Sequence, residues 1–231
     1  MKGYIFDLDG TLVDSMWVWE DLAEVYLRAR GIKGLDNISE TLNTMTMKAA
    51  IDYLKEVYAI EDSLEQMSDD IYAIIRRRYR QEVKAKAGAR DCLCRLKAAG
   101  MRMGVLTACE RICAEQVLEQ NGLLGYMDFI ASCEELPYDK QDGRLFDLML
   151  KRLQTDKEKT MFVDDALHAV RTLKKHGFHV TAVYDASGKE QWTELCTLAD
   201  VSLHSLEELK PIHPMTTESR NKAENMTRRD I

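Results

Sequence analysis

Three apolar runs in this chain each stop at a side chain able to do chemistry, and this constrains the fold more than any other feature. Residues 3–8 read as a short buried strand ending in the cluster Asp7-Leu8-Asp9-Gly10-Thr11. Residues 101–106 read as a second strand, stopping at Thr107, and residues 160–163 as a third, running into Asp164-Asp165. Two further runs, 129–131 and 179–183, have the same short apolar character. Helix-like segments lie among them, over 89–99, 111–120 and 144–153, with one more that reaches Gly177. Strands alternating with helices of this length predict an α/β fold, a doubly wound, Rossmann-like parallel sheet with crossover helices. In such a sheet the site lies outside the carboxyl ends of the strands. Asp7, Thr107 and Asp164-Asp165 are therefore expected to converge.

A long helical stretch interrupts this alternation. From Trp17 to Gly31, and again over 39–59 and 63–84, the periodicity is helical and no strand-like run intervenes. The expected organisation is a core of residues 1–14 and 86–210 with an all-helical insert over 15–85. After Leu209 the periodicity fades, and residues 211–231 read as a loose, mixed-charge tail. There are no internal repeats.

Composition narrows the function classes. The 231 residues are 45% hydrophobic and 31% charged, as in globular proteins with a sizeable core. A net charge of −7 argues against a nucleic-acid surface or a basic membrane patch. No apolar run approaches the roughly 20 residues of a membrane span. The first residues reach Asp7 without the apolar stretch of a signal peptide, so a cytoplasmic location is expected. Nothing in the sequence requires more than a monomer. Six cysteines include Cys92-x-Cys94 and Cys109-x-x-x-Cys113, but no second pair follows at zinc-finger spacing. Reduced thiols are the expectation for all six.

The candidate chemistry lies in the acids. Asp7 and Asp9, at i and i+2, would point apart in a strict strand, but Gly10 permits a sharp turn directly afterwards. Such a pair can supply a nucleophile and a proton donor. Taken alone, the two acids could equally decorate a turn, and Asp164-Asp165 could cap a helix. Together, Asp7 and Asp164-Asp165 offer hard oxygen ligands for Mg²⁺, which binds through a few carboxylates plus water and substrate phosphate. Thr107 and Lys140, flanking the acids, can hold phosphate oxygens and stabilise charge on a transferring phosphoryl group.

These residues carry a family resemblance. Asp7-Leu8-Asp9-Gly10-Thr11-Leu12-Val13-Asp14-Ser15 resembles the opening motif of the haloacid dehalogenase superfamily of phosphatases. Thr107, Lys140 and Asp164-Asp165 then follow in that family's order. The segment from Lys140 to Phe146 resembles its Lys-Pro-Asp-Pro-x-x-Phe stretch, with both prolines replaced by Gln141 and Gly143. The acidic pair is Asp-Asp where close relatives often have Glu-Asp. The resemblance spans about residues 1–209, and the insert resembles the small helical cap of the beta-phosphoglucomutase and phosphoglycolate phosphatase branch.

The resemblance implies a Mg²⁺-dependent phosphatase acting on a small phosphorylated metabolite. Asp7 would become an aspartyl phosphate, and Asp9 would act as general acid and then base, its backbone carbonyl also binding metal. Thr107 and Lys140 would hold phosphoryl oxygens. Asp165 would bind Mg²⁺, with Asp164 a direct or water-mediated partner. In this superfamily the dehalogenases lack an Asp at the position of Asp9, so its presence points to phosphoryl transfer.

Two alternatives remain open at this level. A sugar-phosphate mutase would share core and cap and would need a cation in the cap; within residues 42–48 the candidates for that position are Met47 and Lys48. A receiver-like signalling module also combines a phosphorylated Asp, an acidic pair, a Thr and a Lys, but with the acidic pair first in sequence. Trp17 and Trp19 stand where an aromatic face would meet a leaving group, or else pack cap on core. Arg76-Arg77-Arg78 and Arg80 cannot all face one site, so most belong to a solvated face.

Overall fold

The computed structural model describes residues 2–33, 38–42, 45 and 47–211, with backbone only at 39 and 40. Most of the tail expected over 211–231 lies outside the described residues, as do Asn43, Thr44 and Thr46. In chain order the elements are β1 (Gly3–Phe6), β2 (Val13–Asp14), α1 (Met16–Glu20), α2 (Leu22–Ala29), α3 (Ile38–Leu42), α4 (Met47–Val57) and α5 (Leu64–Gln81). There follow β3 (Lys84–Ala85), α6 (Ala89–Ala98), β4 (Arg102–Thr107), α7 (Arg111–Gln120) and β5 (Phe129–Ser132). The chain continues through α8 (Gly143–Leu153), β6 (Thr160–Asp164), α9 (Leu167–Lys175), β7 (His179–Val183), α10 (Trp192–Leu198) and β8 (Val201–Leu203).

Six strands form one sheet in the order β5-β4-β1-β6-β7-β8, and every pairing is parallel. The fold is doubly wound α/β. The chain builds outward from β1 to β4 and β5, then returns to β1's other side for β6, β7 and β8. That reversal leaves β1 between β4 and β6, and a crevice opens at their carboxyl ends.

Both sheet faces are buried, so the strand side chains alternate between two cores. Tyr4, Phe6, Met103, Val105, Met161 and Val163 enter one apolar cluster; Ile5, Leu106, Phe162 and Val180 enter the other. The second cluster is covered by α8, α9 and α10. In α8, Leu145, Phe146, Met149, Leu150 and Leu153 repeat at helical spacing on one buried face. The first cluster runs without a break from the sheet through α6 and α7 into α2, α4 and α5.

Two details differ from the sequence reading. Helical pattern was expected to persist to residue 84, but α5 ends at Gln81 and the chain returns through an antiparallel ladder, Val13 with Ala85 and Asp14 with Lys84. Two-residue strands carry no detectable periodicity. The stretch expected as one helix from Trp17 is broken at Asp21 into α1 and α2.

Candidate active site

The backbone register delivers the acids. Phe6 pairs with Val105 on one side and Val163 on the other, so the next residue of β1 stands beside the ends of β4 and β6. Asp7 follows directly, its N–H donating to the Val163 carbonyl at 2.8 Å. Thr107 and Asp164 are the last residues of their strands. β4 and β6 therefore end on polar side chains, and β1 runs directly into one.

After Asp7 the chain turns tightly. Leu8's carbonyl accepts from Leu12 and Val13, and Gly10 sits at φ +77. A Cβ on Gly10 would run into the Asp165 carboxylate, so the position requires glycine twice, for its backbone and for this close approach. Lys86 clamps the same turn, donating to the Gly10 carbonyl at 2.7 Å, the Tyr184 carbonyl at 2.8 Å and Asp185 at 2.8 Å.

The turn sends the two acids of the Asp7–Asp9 pair into different environments. Asp7, Asp164 and Asp165 each present an oxygen within 4.8 Å of one another, all three buried. Lys140, delivered just before α8, donates to Asp7 at 2.5 Å and Asp164 at 2.8 Å. Asp164 also accepts from the Ala166 N–H at 2.9 Å, and Asp165 accepts from the Thr11 hydroxyl at 2.8 Å. The Asp9 carboxylate is not one of this trio. It accepts hydrogen bonds from the Ser15 hydroxyl at 2.6 Å, the Tyr79 hydroxyl and the Thr107 hydroxyl at 3.3 Å. Tyr79 comes from α5, about as far along the chain as the helical segment reaches.

Electrostatics follow from burial and crowding. Burial pushes Asp7 well above the usual carboxylate range, and the charges of Asp164, Asp165 and Asp9 add to that against the pull of Lys140. Burial, with Asp164 beside it, raises Asp165 to about 7. Burial also raises Asp9, opposed by the hydrogen bonds from Ser15 and Tyr79. Burial works to lower Lys140, but the charges of Asp164 and Asp7 overcome it and hold the ammonium above its ordinary value. Three buried carboxylates against one ammonium leave an excess of negative charge. The donor set, hard oxygens only, fits a hard divalent cation.

A cavity of about 740 Å³ stands over these residues, lined by Asp7, Asp9, Lys140 and Asp165 below and by the helical layer above. Here the structure separates the residues singled out in the insert. Trp19 lines the cavity, but Trp17 does not: its indole N–H donates to the Asp14 carbonyl at 3.0 Å and Arg78 stacks on its ring. Two residues apart on a helix means about 200° apart around it, so the pair cannot share a face. Met47 lines the cavity, whereas Lys48 is exposed and outside the lining. Arg78 is buried and anchors α5 to Val18 and Asp21, and Arg76 reaches Glu110 at 2.8 Å. The cysteines form no disulfides.

Sequence reasoning missed the hydroxyls. Thr11 and Ser15 stood inside the quoted opening motif without an assigned partner. Tyr79 continues the buried stripe Ile71, Ile75 on α5, and a tyrosine ending an apolar stripe signals a buried hydroxyl seeking a partner.

Comparison with known proteins fits this arrangement. Residues 4–183 match the haloacid dehalogenase-like hydrolase family. The chain belongs to that family. A curated relative, the (S)-2-haloacid dehalogenase of Pseudomonas putida, is 26% identical over 197 residues, 81% of this chain and 86% of the relative. Hexitol phosphatase B of Escherichia coli K12 is 24% identical over 210 residues, 89% of this chain and 92% of the relative. Among solved structures, a putative beta-phosphoglucomutase from Thermotoga maritima superposes with a TM-score of 0.75 at 22% identity, covering 90% of this chain and 96% of that one. The family's fold is this one. No described helix is long and apolar enough to cross a membrane.

Proposed function

We propose that this haloacid dehalogenase-like hydrolase is a Mg²⁺-dependent phosphatase of a small phosphorylated metabolite, working through an aspartyl phosphate on Asp7. The observation that carries the reading is the placement of Asp9. Asp9 lines the same cavity as Asp7, its carboxylate is outside the trio that suits a cation, and it is oriented by three hydroxyls. A carboxyl raised by burial and free of the cation is suited to give and take a proton. The relatives named as phosphatases support the same chemistry.

In this reading the helices over 15–85 are a cap on a core of 1–14 and 86–210. Asp7 attacks phosphorus in line, and the departing oxygen takes its proton from Asp9. The phosphoryl group is then on an Asp7 oxygen. Asp9, now a carboxylate, removes a proton from water as that water attacks phosphorus, which releases phosphate and restores Asp7. Lys140 and Thr107 hold phosphoryl oxygens. Asp7, Asp164 and Asp165, with the Asp9 backbone carbonyl, would hold the Mg²⁺ ion, which offsets charge where carboxylate and phosphate meet.

One observation and one chemical argument weigh against the neighbouring activities. A mutase needs a cation in the cap for a second phosphate, and the described cap residues lining the cavity include no Lys or Arg. A dehalogenase has no proton to deliver to a leaving halide, and Asp9 would be idle. The deciding experiment is a screen for phosphate release over phosphate esters with Mg²⁺ and with chelator. Release that chelator stops and Mg²⁺ restores is expected, with no isomerised sugar phosphate. Halide release from a 2-haloacid, with no ester hydrolysed, would overturn the reading.

A further inference from the structure

The cavity is far larger than a phosphate needs, and its two halves differ in chemistry. The floor carries the carboxylates and Lys140. The wall opposite, supplied by the helices, presents Trp19, Leu42, Met47, Ile51, Ile71 and Ile75 among its lining. Lys140 is the only Lys or Arg among the described lining residues, and Asp7 and Asp164 already hold it. Outside the floor, the other charged side chains among the described lining residues are acidic: Glu20, Glu110 and Glu134. Glu110 is offset by its pair with Arg76, which holds that guanidinium, and Glu134 accepts from the Tyr72 hydroxyl.

This combination selects among leaving groups. A carboxylate or second phosphate on the substrate would enter a cavity whose described lining holds no free Lys or Arg and carries Glu20 and Glu134, and would lose its hydration without a replacement. The polar groups of the described lining stand apart from that wall: the Tyr72 hydroxyl is held by Glu134, and His168, Ser187 and Gln191 belong to the segments after β6 and β7. Polyol hydroxyls directed at the wall would face isoleucine, leucine and methionine, and each unmatched hydroxyl costs binding energy. An apolar group loses nothing by entering and removes apolar surface from water.

We infer that the substrate is the phosphate monoester of an uncharged, predominantly apolar alcohol, whose hydrocarbon portion packs against the α1–α5 wall while the phosphate meets the carboxylate floor. The inference rests on the phosphatase reading above and deepens it to a substrate class. The acids of the lining and the absence of a second Lys or Arg among the described lining residues disfavour doubly anionic substrates; the volume of the cavity, about 740 Å³, favours branched or extended hydrocarbon over a methyl or ethyl ester.

The test uses the whole chain with Mg²⁺ and two parallel series. One is n-alkyl phosphates from ethyl to octyl, with phosphoglycolate and a hexitol phosphate alongside, read as kcat/KM for phosphate release. The other is the matching alkylphosphonates, which cannot be hydrolysed, read as Kd by calorimetry. Both kcat/KM and affinity are expected to rise with chain length, by up to about fourfold per methylene that enters the cavity. Met47→Lys, which sets an ammonium in the wall at a half-buried position, should flatten both series and raise turnover of phosphoglycolate. Where esters are hydrolysed, a flat series in either measurement overturns the inference and leaves the phosphatase reading standing. So does a tenfold preference for phosphoglycolate or the hexitol phosphate over octyl phosphate, or a Met47→Lys series as steep as the parent's. Phosphonate affinity rising with chain length while no ester is hydrolysed would overturn the phosphatase reading and keep the apolar pocket.

Discussion

The floor and the wall of the one cavity are built on opposite principles. The floor is made where three parallel strands end together, and every acid there has a named partner: Lys140 for Asp7 and Asp164, Thr11 for Asp165, and Ser15, Tyr79 and Thr107 for Asp9. Charge in a low-dielectric site tolerates little displacement, because each group's state depends on its neighbours at hydrogen-bond distance. The wall is made of apolar side chains on helices, where shape matters and exact partners do not. Substitution should therefore act by steps on the floor and by degrees on the wall. Chemistry is fixed in one half, and selectivity can drift in the other.

The largest effect should come from Asp7, the residue proposed as nucleophile. Asp7→Asn keeps shape and removes both the attacking oxygen and one charge from the trio, so phosphate release should fall to background while circular dichroism shows the fold retained. Turnover surviving in a folded variant would break the division between floor and wall at its root. Asp9→Asn should cost about 10²–10⁴-fold, the usual scale of general acid–base catalysis. Its backbone carbonyl is untouched and its side chain lies outside the trio, so Mg²⁺ affinity should change little. Aryl phosphates, whose leaving oxygens need less protonation, should lose less. An equal loss on aryl and alkyl esters would mean that Asp9 positions and does not transfer a proton.

That same contrast explains what could be read from the chain alone. The meeting of Asp7, Thr107, Lys140 and Asp164-Asp165 was legible because each acid and the threonine stand at the end of an apolar run, and a doubly wound sheet puts strand ends in one place. Alternating burial on β1 and β6 follows from their apolar runs in the same way. The wall was not legible, since a cavity-facing isoleucine and a core-facing one look alike in sequence. Trp17 and Trp19 show it in miniature: both fit the segment, and only helix geometry separates the one that stacks on Arg78 from the one that meets the cavity. Ser15 and Tyr79 escaped because a hydroxyl's partner is set by tertiary approach, in Tyr79's case from a helix far along the chain. The strands β2, β3 and β8 are too short for any periodicity to register.

The crowding of the floor also has a pH signature. Asp165 is raised to about 7, first by burial and then by Asp164. A carboxyl raised on folding binds its proton more tightly in the folded than in the unfolded chain. Its stabilising contribution is full below the ordinary carboxylate range and is lost as pH rises through about 7. Metal-free protein should therefore lose stability between about pH 5 and pH 7, with a slope approaching ~1.4 kcal/mol per pH unit for this one group. Mg²⁺ should raise Tm more at pH 8 than at pH 5, because the ionised trio is the form it binds. Asp165→Asn should flatten the metal-free profile. A Tm that climbs through this window in metal-free protein would show that the floor's acids are not in conflict.

The smallest effect separates wall from scaffold within one short helix. Trp17→Ala removes an indole N–H bond to the Asp14 carbonyl and the surface on which Arg78 stacks, 5.2 Å from the ring centroid. Each interaction is worth about 0.5–1.5 kcal/mol at a partly exposed site, so Tm should fall while KM stays as it was. Trp19→Ala removes lining from the cavity and an edge contact with Tyr79. Because Tyr79 holds Asp9, the loss should be felt in two ways: KM for a long alkyl phosphate should rise about threefold to tenfold, and kcat should slip by less. The order of the two variants is the decisive reading. If Trp17→Ala raised KM and Trp19→Ala only lowered Tm, the cavity would open on the other face of α1, and the wall described for it would belong to the protein's packing alone.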